Sequence, residues 1–363
     1  MSLAKPRAFS LIELLVVIAI IGVIIALVIP AVGRVRDAAK NADNRALVSQ
    51  IQNAVSAFQI DNRRVPGVFS PVEMGQADNE TRGFSGMQNA MLELEGGVIN
   101  RAPATARDAE NEIVVGPYTQ ADRNVVVDLD LIGSGKGYLA PSGRSFKKQD
   151  GLEGGSRLGA SGGSSAHERL PELVDRAGQP ILFWSKNSLV TDEVESIDDV
   201  VALRSGGPTP SRFYWNQNAA FLAADAGPTG TLAVNQGGTG GKSMLGEWNS
   251  THLLDSMMAF LGNPNSPVAS TIASDTTPLV DVLPAQVRGS FVIHAAGRDG
   301  AYFSQFDSTS KVVLESGPSS GWIAYGINFY SPTSGGNGVR RSGAGPTSID
   351  VGSAFDDIIA AGE

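Results

Sequence analysis

One carboxylate in this sequence sits where it needs a chemical reason. From Leu11 to Val32 the chain runs through an apolar span of 22 residues, and Glu13 is its only charge. An acidic side chain in such a span costs roughly 2.5–3.5 kcal/mol at the centre of a membrane helix, and less near an end. An intramembrane charge is therefore a functional candidate whose partner should be sought. Other patterns that could carry chemistry are weaker. Gly237-Gly238-Thr239-Gly240-Gly241-Lys242-Ser243 approaches a phosphate-cradling loop, but Gln236 stands where that pattern requires glycine. Gly159-Ala160-Ser161-Gly162-Gly163 and Gly317-Pro318-Ser319-Ser320-Gly321 both satisfy Gly-x-Ser-x-Gly. Neither has the flanking strand and helix that a nucleophile elbow needs. His167, His252 and His294 lie far apart, without metal-ligand spacing. These patterns point away from an enzyme, and a membrane-anchored extracytoplasmic enzyme is the remote alternative.

The element that must position Glu13 is a helix. A membrane-crossing helix needs ~20 apolar residues, and the span from 11 to 32 meets that length. Beyond Pro30 the apolar residues Val35, Ala39, Ala42, Ala46, Leu47, Ile51, Ala54, Val55 and Phe58 recur at helical steps on one face. Pro66 cannot sit inside a helix and restricts its predecessor, so the helix should end near Asn62. The reading is one helix of about 50 residues and about 75 Å, its first half apolar all round and its second half amphipathic. Pro30 predicts a kink or local melting at the junction. A secretory signal is a poor fit, because its apolar region spans only about 7–15 residues. A plain single-pass anchor leaves Glu13 unexplained.

The residues Ala8-Phe9-Ser10-Leu11-Ile12-Glu13-Leu14-Leu15 and onward to Gly22 resemble the leader and N-terminal helix of type IV pilins and type II secretion pseudopilins. The resemblance implies that residues 1–8 are a leader, that prepilin peptidase cuts between Ala8 and Phe9, and that the new Phe9 amine is methylated. It also implies that Glu13 meets the amino terminus of a neighbouring subunit during assembly. A carboxylate in a dry bundle requires a cation, and a free amine supplies one. The family usually carries glycine just before the cut, where this chain has Ala8.

Further landmarks resemble the major pseudopilin of type II secretion. Ala57-Phe58-Gln59-Ile60-Asp61-Asn62-Arg63-Arg64-Val65-Pro66 is similar to that family's helix exit, with Arg63 replacing a usual glycine and Val65 a usual tyrosine. Asp175-Arg176-Ala177-Gly178-Gln179-Pro180 keeps the Asp, Gly and Pro of a family turn. Ala295-Ala296-Gly297-Arg298-Asp299-Gly300 is similar to a Ser-x-Gly-x-Asp-Gly loop, and Phe355-Asp356-Asp357-Ile358 to a terminal Asp-Asp-Ile. The resemblance implies a Ca²⁺ site built from Asp299, Asp356 and Asp357. Calcium takes about six to eight oxygen ligands, carboxylates and loop carbonyls among them, in irregular geometry.

Composition bounds the remainder. The chain has 363 residues, net charge −9 and no cysteine, so thiol chemistry and disulfides are excluded. An acidic chain offers no electrostatic footprint for nucleic acid. Abundant glycine, 43 residues, with only 18% charged residues suits a β-rich extracytoplasmic domain with long loops. The expected fold is α+β: a long N-terminal transmembrane helix continues into an amphipathic helix packed on a C-terminal antiparallel β-sheet domain with large loop insertions. The expected divisions are a leader at 1–8, the helix at 9–62, a loop-rich insertion at 63–174 and a β-rich region at 175–363. Met87 to Leu94 reads as a short helix, and Val125 to Leu129, Ile181 to Trp184, Phe213 to Trp215 and Gly289 to His294 as strands.

Lys5 and Arg7 favour a cytoplasmic N-terminus, but Arg34, Arg36 and Lys40 on the other flank leave the charge rule ambiguous. The resemblance decides the orientation: single-pass in the inner membrane, large domain outside, fibre when assembled. It implies a pseudopilus structural subunit whose partners are identical or homologous subunits, the prepilin peptidase and an inner-membrane assembly platform. The alternative is a type IV pilus subunit, pilin or minor pilin.

Overall fold

The computed structural model describes residues 11–103, 111–134, 137–141, 143–148, 167, 169–191, 194–206, 210–218, 250–263, 283–297, 300–304, 330–332, 338–340, 350, 352 and 355–362. The first element, α1, is a single helix of 52 residues, Leu11–Asn62, that contains Pro30. The melting predicted at Pro30 is absent, since helix runs without interruption on both sides of it. Proline removes one amide donor, and the bonds on either side of that gap hold the turn together.

The chain continues through α2 (Pro71–Met74), α3 (Ala77–Arg82) and α4 (Gly86–Leu94). Strands β1 (Val98–Ile99), β2 (Glu112–Val115), β3 (Val125–Asp128), β4 (Phe146–Lys148), β5 (Pro171–Leu173) and β6 (Leu182–Ser185) follow. Next come α5 (Ile197–Val200), β7 (Val201–Ala202), β8 (Phe213–Tyr214) and α6 (Ser250–Leu261). The last strands are β9 (Phe291–Ala295), β10 (Tyr330–Pro332), β11 (Gly338–Arg340) and β12 (Ile358–Gly362). The mixed α+β architecture expected from the sequence is present. The described part of 63–174 holds three helices and a small antiparallel sheet of order β1-β3-β2. Capping boxes start two of those helices, Ser70 with Glu73 on α2 and Ser85 with Gln88 on α4.

The sheet that matters most has the order β12-β9-β6, antiparallel throughout. Its register pairs His294 with Ile359 on one side and with Leu182 on the other. Strand β9 is buried on both faces. Phe291, Ile293 and Ala295 share a core with Leu47, Ile51, Val55 and Phe58 of α1 and with Met87 and Met91 of α4. Val292, with Leu182 and Trp184 of β6, faces a second core of Met257 and Phe260 on α6, Val200 and Trp215. That double burial explains why β9 reads as a continuous apolar run rather than an alternating one. Each fully buried apolar side chain contributes roughly 1.5–3 kcal/mol. Gly86 lets α4 lie directly on β6, because a Cβ there would stand 2.1 Å from the Phe183 carbonyl oxygen.

Helix α1 joins this domain later than its periodicity predicts. Its buried residues are Asn44, Leu47, Val48, Ile51, Ala54, Val55 and Phe58. Val35 is 69% exposed, and Ala39, Ala42 and Ala46 are exposed as well. The periodic face is continuous in sequence, but the sheet reaches along the helix only as far as Asn44. At its other end α1 closes on Arg63, whose N–H donates to the Gln59 carbonyl at 2.8 Å.

Two buried ionisable groups give the domain opposite responses to pH. His167 accepts the Gly116 N–H at Nε2 (3.0 Å) while Nδ1 lies 3.1 Å from the Arg82 carbonyl, which fixes a neutral ring protonated at Nδ1. Burial, then the Arg82 charge, hold its pKa down to about 3, so its stabilisation is complete above pH 6.5 and is lost as pH falls below that. Glu95, 1% exposed, has no hydrogen-bond partner for either carboxylate oxygen among the described residues. Burial pushes its pKa up to about 8. A carboxyl that holds its proton more tightly when folded favours folding at low pH, and that contribution is lost as pH rises toward 8. Between pH 7 and 8 the His167 contribution changes little, so the Glu95 response dominates over His167 there. The melting temperature of the full-length protein in detergent should fall across that window. Glu95→Gln should flatten the fall, and an unchanged slope in the variant would refute the assignment.

Candidate functional site

Glu13 sits on the first turn of α1, in a stretch whose side chains are exposed. All residues from 11 to 39 are exposed, Leu11 at 79% and Leu27 at 71% among them. Glu13 is exposed in the same stretch. By length and composition α1 is apolar enough to cross a membrane. So large an unbroken apolar surface far exceeds what a soluble monomer leaves open, and it marks a surface that lipid or other subunits cover. Ala8 and Phe9, the expected cleavage and methylation positions, lie outside the described residues.

Where α1 enters the domain, the three C-terminal landmarks converge. Asn44, buried in α1, donates to the Gly297 carbonyl (3.3 Å) and accepts the Arg176 N–H (2.8 Å). Its neighbour Asp43 pairs with the Arg176 guanidinium at 2.8 Å. The Asp175–Pro180 turn is closed by the Asp175 carboxylate, which accepts the Ala177 and Gln179 N–H groups at 2.8 and 2.9 Å. The turn after β9 packs on it, since a Cβ on Gly300 would stand 3.2 Å from the Ala177 Cβ. Gly297 has a φ of +74°, and a Cβ there would lie 2.2 Å from Asp356 Oδ1. Only glycine lets that turn approach Asp356 so closely. Residues 44, 175–180, 295–297, 300 and 356–357, scattered over the sequence, therefore form one collar beside α1.

The expected metal ligands divide within this collar. Asp356 lies against the Gly297 turn, while Asp299 lies outside the described residues. Asp357 has other work: its fully buried carboxylate stands 2.6 Å from His294 Nε2 and accepts the Phe303 N–H at 3.0 Å on each oxygen. Phe303 is held at a φ of +46°, a strained value for a residue with a Cβ, so these bonds secure a backbone that would otherwise relax. The rings of Phe303, Tyr302 and Phe260 enclose His294 at centroid distances of 4.8, 5.0 and 5.3 Å. In the sequence His294 and Asp357 stand 63 residues apart and no spacing links them. The one available signal was a histidine inside an otherwise apolar strand. Among the described residues, no three His, Asp or Glu side chains are grouped as a metal centre. His252 lies on α6, and the glycine-rich patterns around Ser161, Lys242 and Ser319 fall outside the described residues.

Residues 3–29 match the prokaryotic N-terminal methylation motif. This signature is typical of type IV pilin-like proteins, and here it spans the expected cleavage position between Ala8 and Phe9 and runs on into α1 as far as Ile29. No curated protein and no solved structure shows significant similarity to the chain. The similarity to known proteins thus resides in the segment that carries Glu13.

Proposed function

We propose that the chain is a structural, non-catalytic subunit of a pilin-like fibre, and that the fibre is a type II secretion pseudopilus. The observation that carries this reading is the union of a methylation motif at 3–29 with a helix whose apolar half is exposed. Prepilin peptidase removes residues 1–8 in the cytoplasm, the Phe9 amine is methylated, and the domain from Asn44 onward stands outside the inner membrane. The assembly platform then lifts subunits into a bundle of α1 helices. In that dry bundle a lone Glu13 carboxylate would be costly, and the neighbouring subunit's Phe9 amine neutralises it. The turn and terminal landmarks favour the pseudopilus over the type IV pilus.

Mass spectrometry of the protein from native membranes should find an N-terminus at Phe9 carrying one methyl group, and assembled material that retains Met1 or Ser2 would refute processing. Glu13→Ala should leave the domain's melting temperature unchanged while fibres are lost or lose their register. Normal fibres from that variant would show the carboxylate to be dispensable.

We also propose that Ca²⁺ binds in the collar. Asp356 beside the Gly297 turn fits a hard-cation site, with Asp299 as the companion ligand that the family resemblance implies. Asp357 is the third expected ligand, and its carboxylate is bonded to His294 and Phe303. Bound calcium would tie β12 to the β9 turn and raise stability by mass action. Full-length protein should melt higher in millimolar calcium than in chelator, with the difference abolished by Asp356→Asn. Equal midpoints would exclude the site.

A further inference from the structure

Just past its apolar span, α1 carries a group of cations at one level. The span from Leu11 to Val32 has 22 residues and rises about 33 Å, which matches a hydrocarbon core of about 30 Å. Arg34, Arg36 and Lys40 follow at about 3, 6 and 12 Å beyond Val32 along the helix axis. The headgroup layer of a bilayer is about 5–8 Å thick on each side, and the long stems of arginine and lysine reach back toward it. With the span filling the bilayer, all three charges come to the level of the lipid phosphates.

The fold gives these cations no other use. Arg34 and Arg36 are exposed and Lys40 is half-buried, and among the described residues none of the three makes a hydrogen bond or an ion pair. Asp37 is the single acidic residue between them, three positions from Arg34 and from Lys40, and it pairs with neither among the described residues. The next charges along the helix are engaged: Asp43 pairs with Arg176 of the domain, and Arg45 donates to Asn41 Oδ1 at 3.3 Å. Three cations against Asp37 leave a local charge of +2, in a chain of net charge −9. Arg36 and Lys40 stand four positions apart, where like charges repel along a helix. Arg34 projects from nearly the opposite side of the helix to Arg36, since two residues turn it by about 200°. A protein partner meets one side of a helix, whereas headgroups surround it, so cations on both sides suit lipid.

We propose that Arg34, Arg36 and Lys40 bind the headgroups of anionic phospholipids where α1 leaves the bilayer, and so hold the unassembled subunit at a fixed depth. The role rests on the proposed membrane-crossing α1 and is independent of the kind of fibre. In the proposed orientation these cations stand on the outer face, where the charge bias of membrane insertion disfavours them. Headgroup binding gives them a use there, and it offsets the repulsion between an anionic surface and the acidic domain beyond.

The test is electron paramagnetic resonance of full-length protein in phosphatidylcholine vesicles carrying a trace of spin-labelled phosphatidylglycerol or spin-labelled phosphatidylcholine. Lipid touching a membrane helix gives a motionally restricted component, and the ratio of that component between the two labels is the selectivity. Wild type should prefer phosphatidylglycerol. The triple variant Arg34→Gln, Arg36→Gln, Lys40→Gln should lower the preference about fivefold at unchanged melting temperature, with Lys5 and Arg7 common to both proteins. The difference should vanish at ~1 M salt, where the Debye length is about 3 Å. Asp37→Asn should raise the preference, a gain that a misfolded variant does not produce. Arg45→Gln, about 20 Å beyond Val32, should leave it unchanged. A clear restricted component whose selectivity is the same in wild type and triple variant would overturn the proposal and leave the membrane helix standing. No restricted component from either label would overturn both. Fibres lost in the triple variant with lipid preference intact would assign the cations to neighbouring subunits instead, and preference lost in inorganic phosphate at matched ionic strength would assign them to soluble anions.

Discussion

A single helix has to satisfy two environments, and the rest of the structure depends on how α1 divides between them. From Leu11 to Ala39 every residue is exposed, and from Asn44 to Phe58 one face is core. The first part cannot be stable in water as it stands, because its aliphatic side chains have no intramolecular cover. The second part cannot be removed, because Leu47, Ile51, Val55 and Phe58 complete the core under β9. The domain is therefore fastened to whatever covers the apolar half, through a continuous helix with no break at Pro30.

The last strand is locked to the same helix. β12 pairs with β9 along its length, and Gln52 of α1 donates to the Ala361 carbonyl at 2.9 Å. Beside it Gln59 donates to the Ser290 hydroxyl, and the Ser290 N–H donates to the Gly362 carbonyl. His294 and Asp357 pin the approach to β12 from the opposite face of the sheet. Residues more than 300 positions apart thus close one unit, with the long-loop entropy that such closure costs. Opening the end of β12 would expose the inner faces of both cores, which couples the chain's end to the rigidity of its anchor helix.

Much of this was legible in the sequence where a pattern is local. Apolar length gave α1, and Pro66 placed its end at Asn62. The runs at 125–129, 181–184 and 289–294 predict strands, which the structure places at 125–128, 182–185 and 291–295, and Asp175, Gly178 and Pro180 predict a turn. What the sequence hid is set by tertiary geometry. Helical periodicity from Val35 to Ala42 looks like a buried face, yet the sheet stops short of it. His294 and Asp357 are an ordinary histidine and an acidic doublet until the β9–β12 register brings them together. The buried Glu95 ends a short helix like any exposed glutamate, and its missing partner is visible only once its surroundings are packed. Arg63 stands at a left-handed φ of +57° where the family resemblance expects glycine, and that conformation is visible only in the structure.

The central claim is that the apolar half of α1 is covered by lipid or by other subunits, because its side chains are exposed in the fold and no described residue buries them. The chain contains no cysteine, so single cysteines can be placed without background. Ile18→Cys, Ile21→Cys and Ile25→Cys probe the apolar half at positions that the fold itself leaves open, with Ser49→Cys and Asn53→Cys on the solvent face of the amphipathic half. In native membranes a membrane-impermeant maleimide should label positions 49 and 53 and spare 18, 21 and 25 until detergent and denaturant are added. Equal labelling at 18, 21 and 25 in intact membranes would contradict the account.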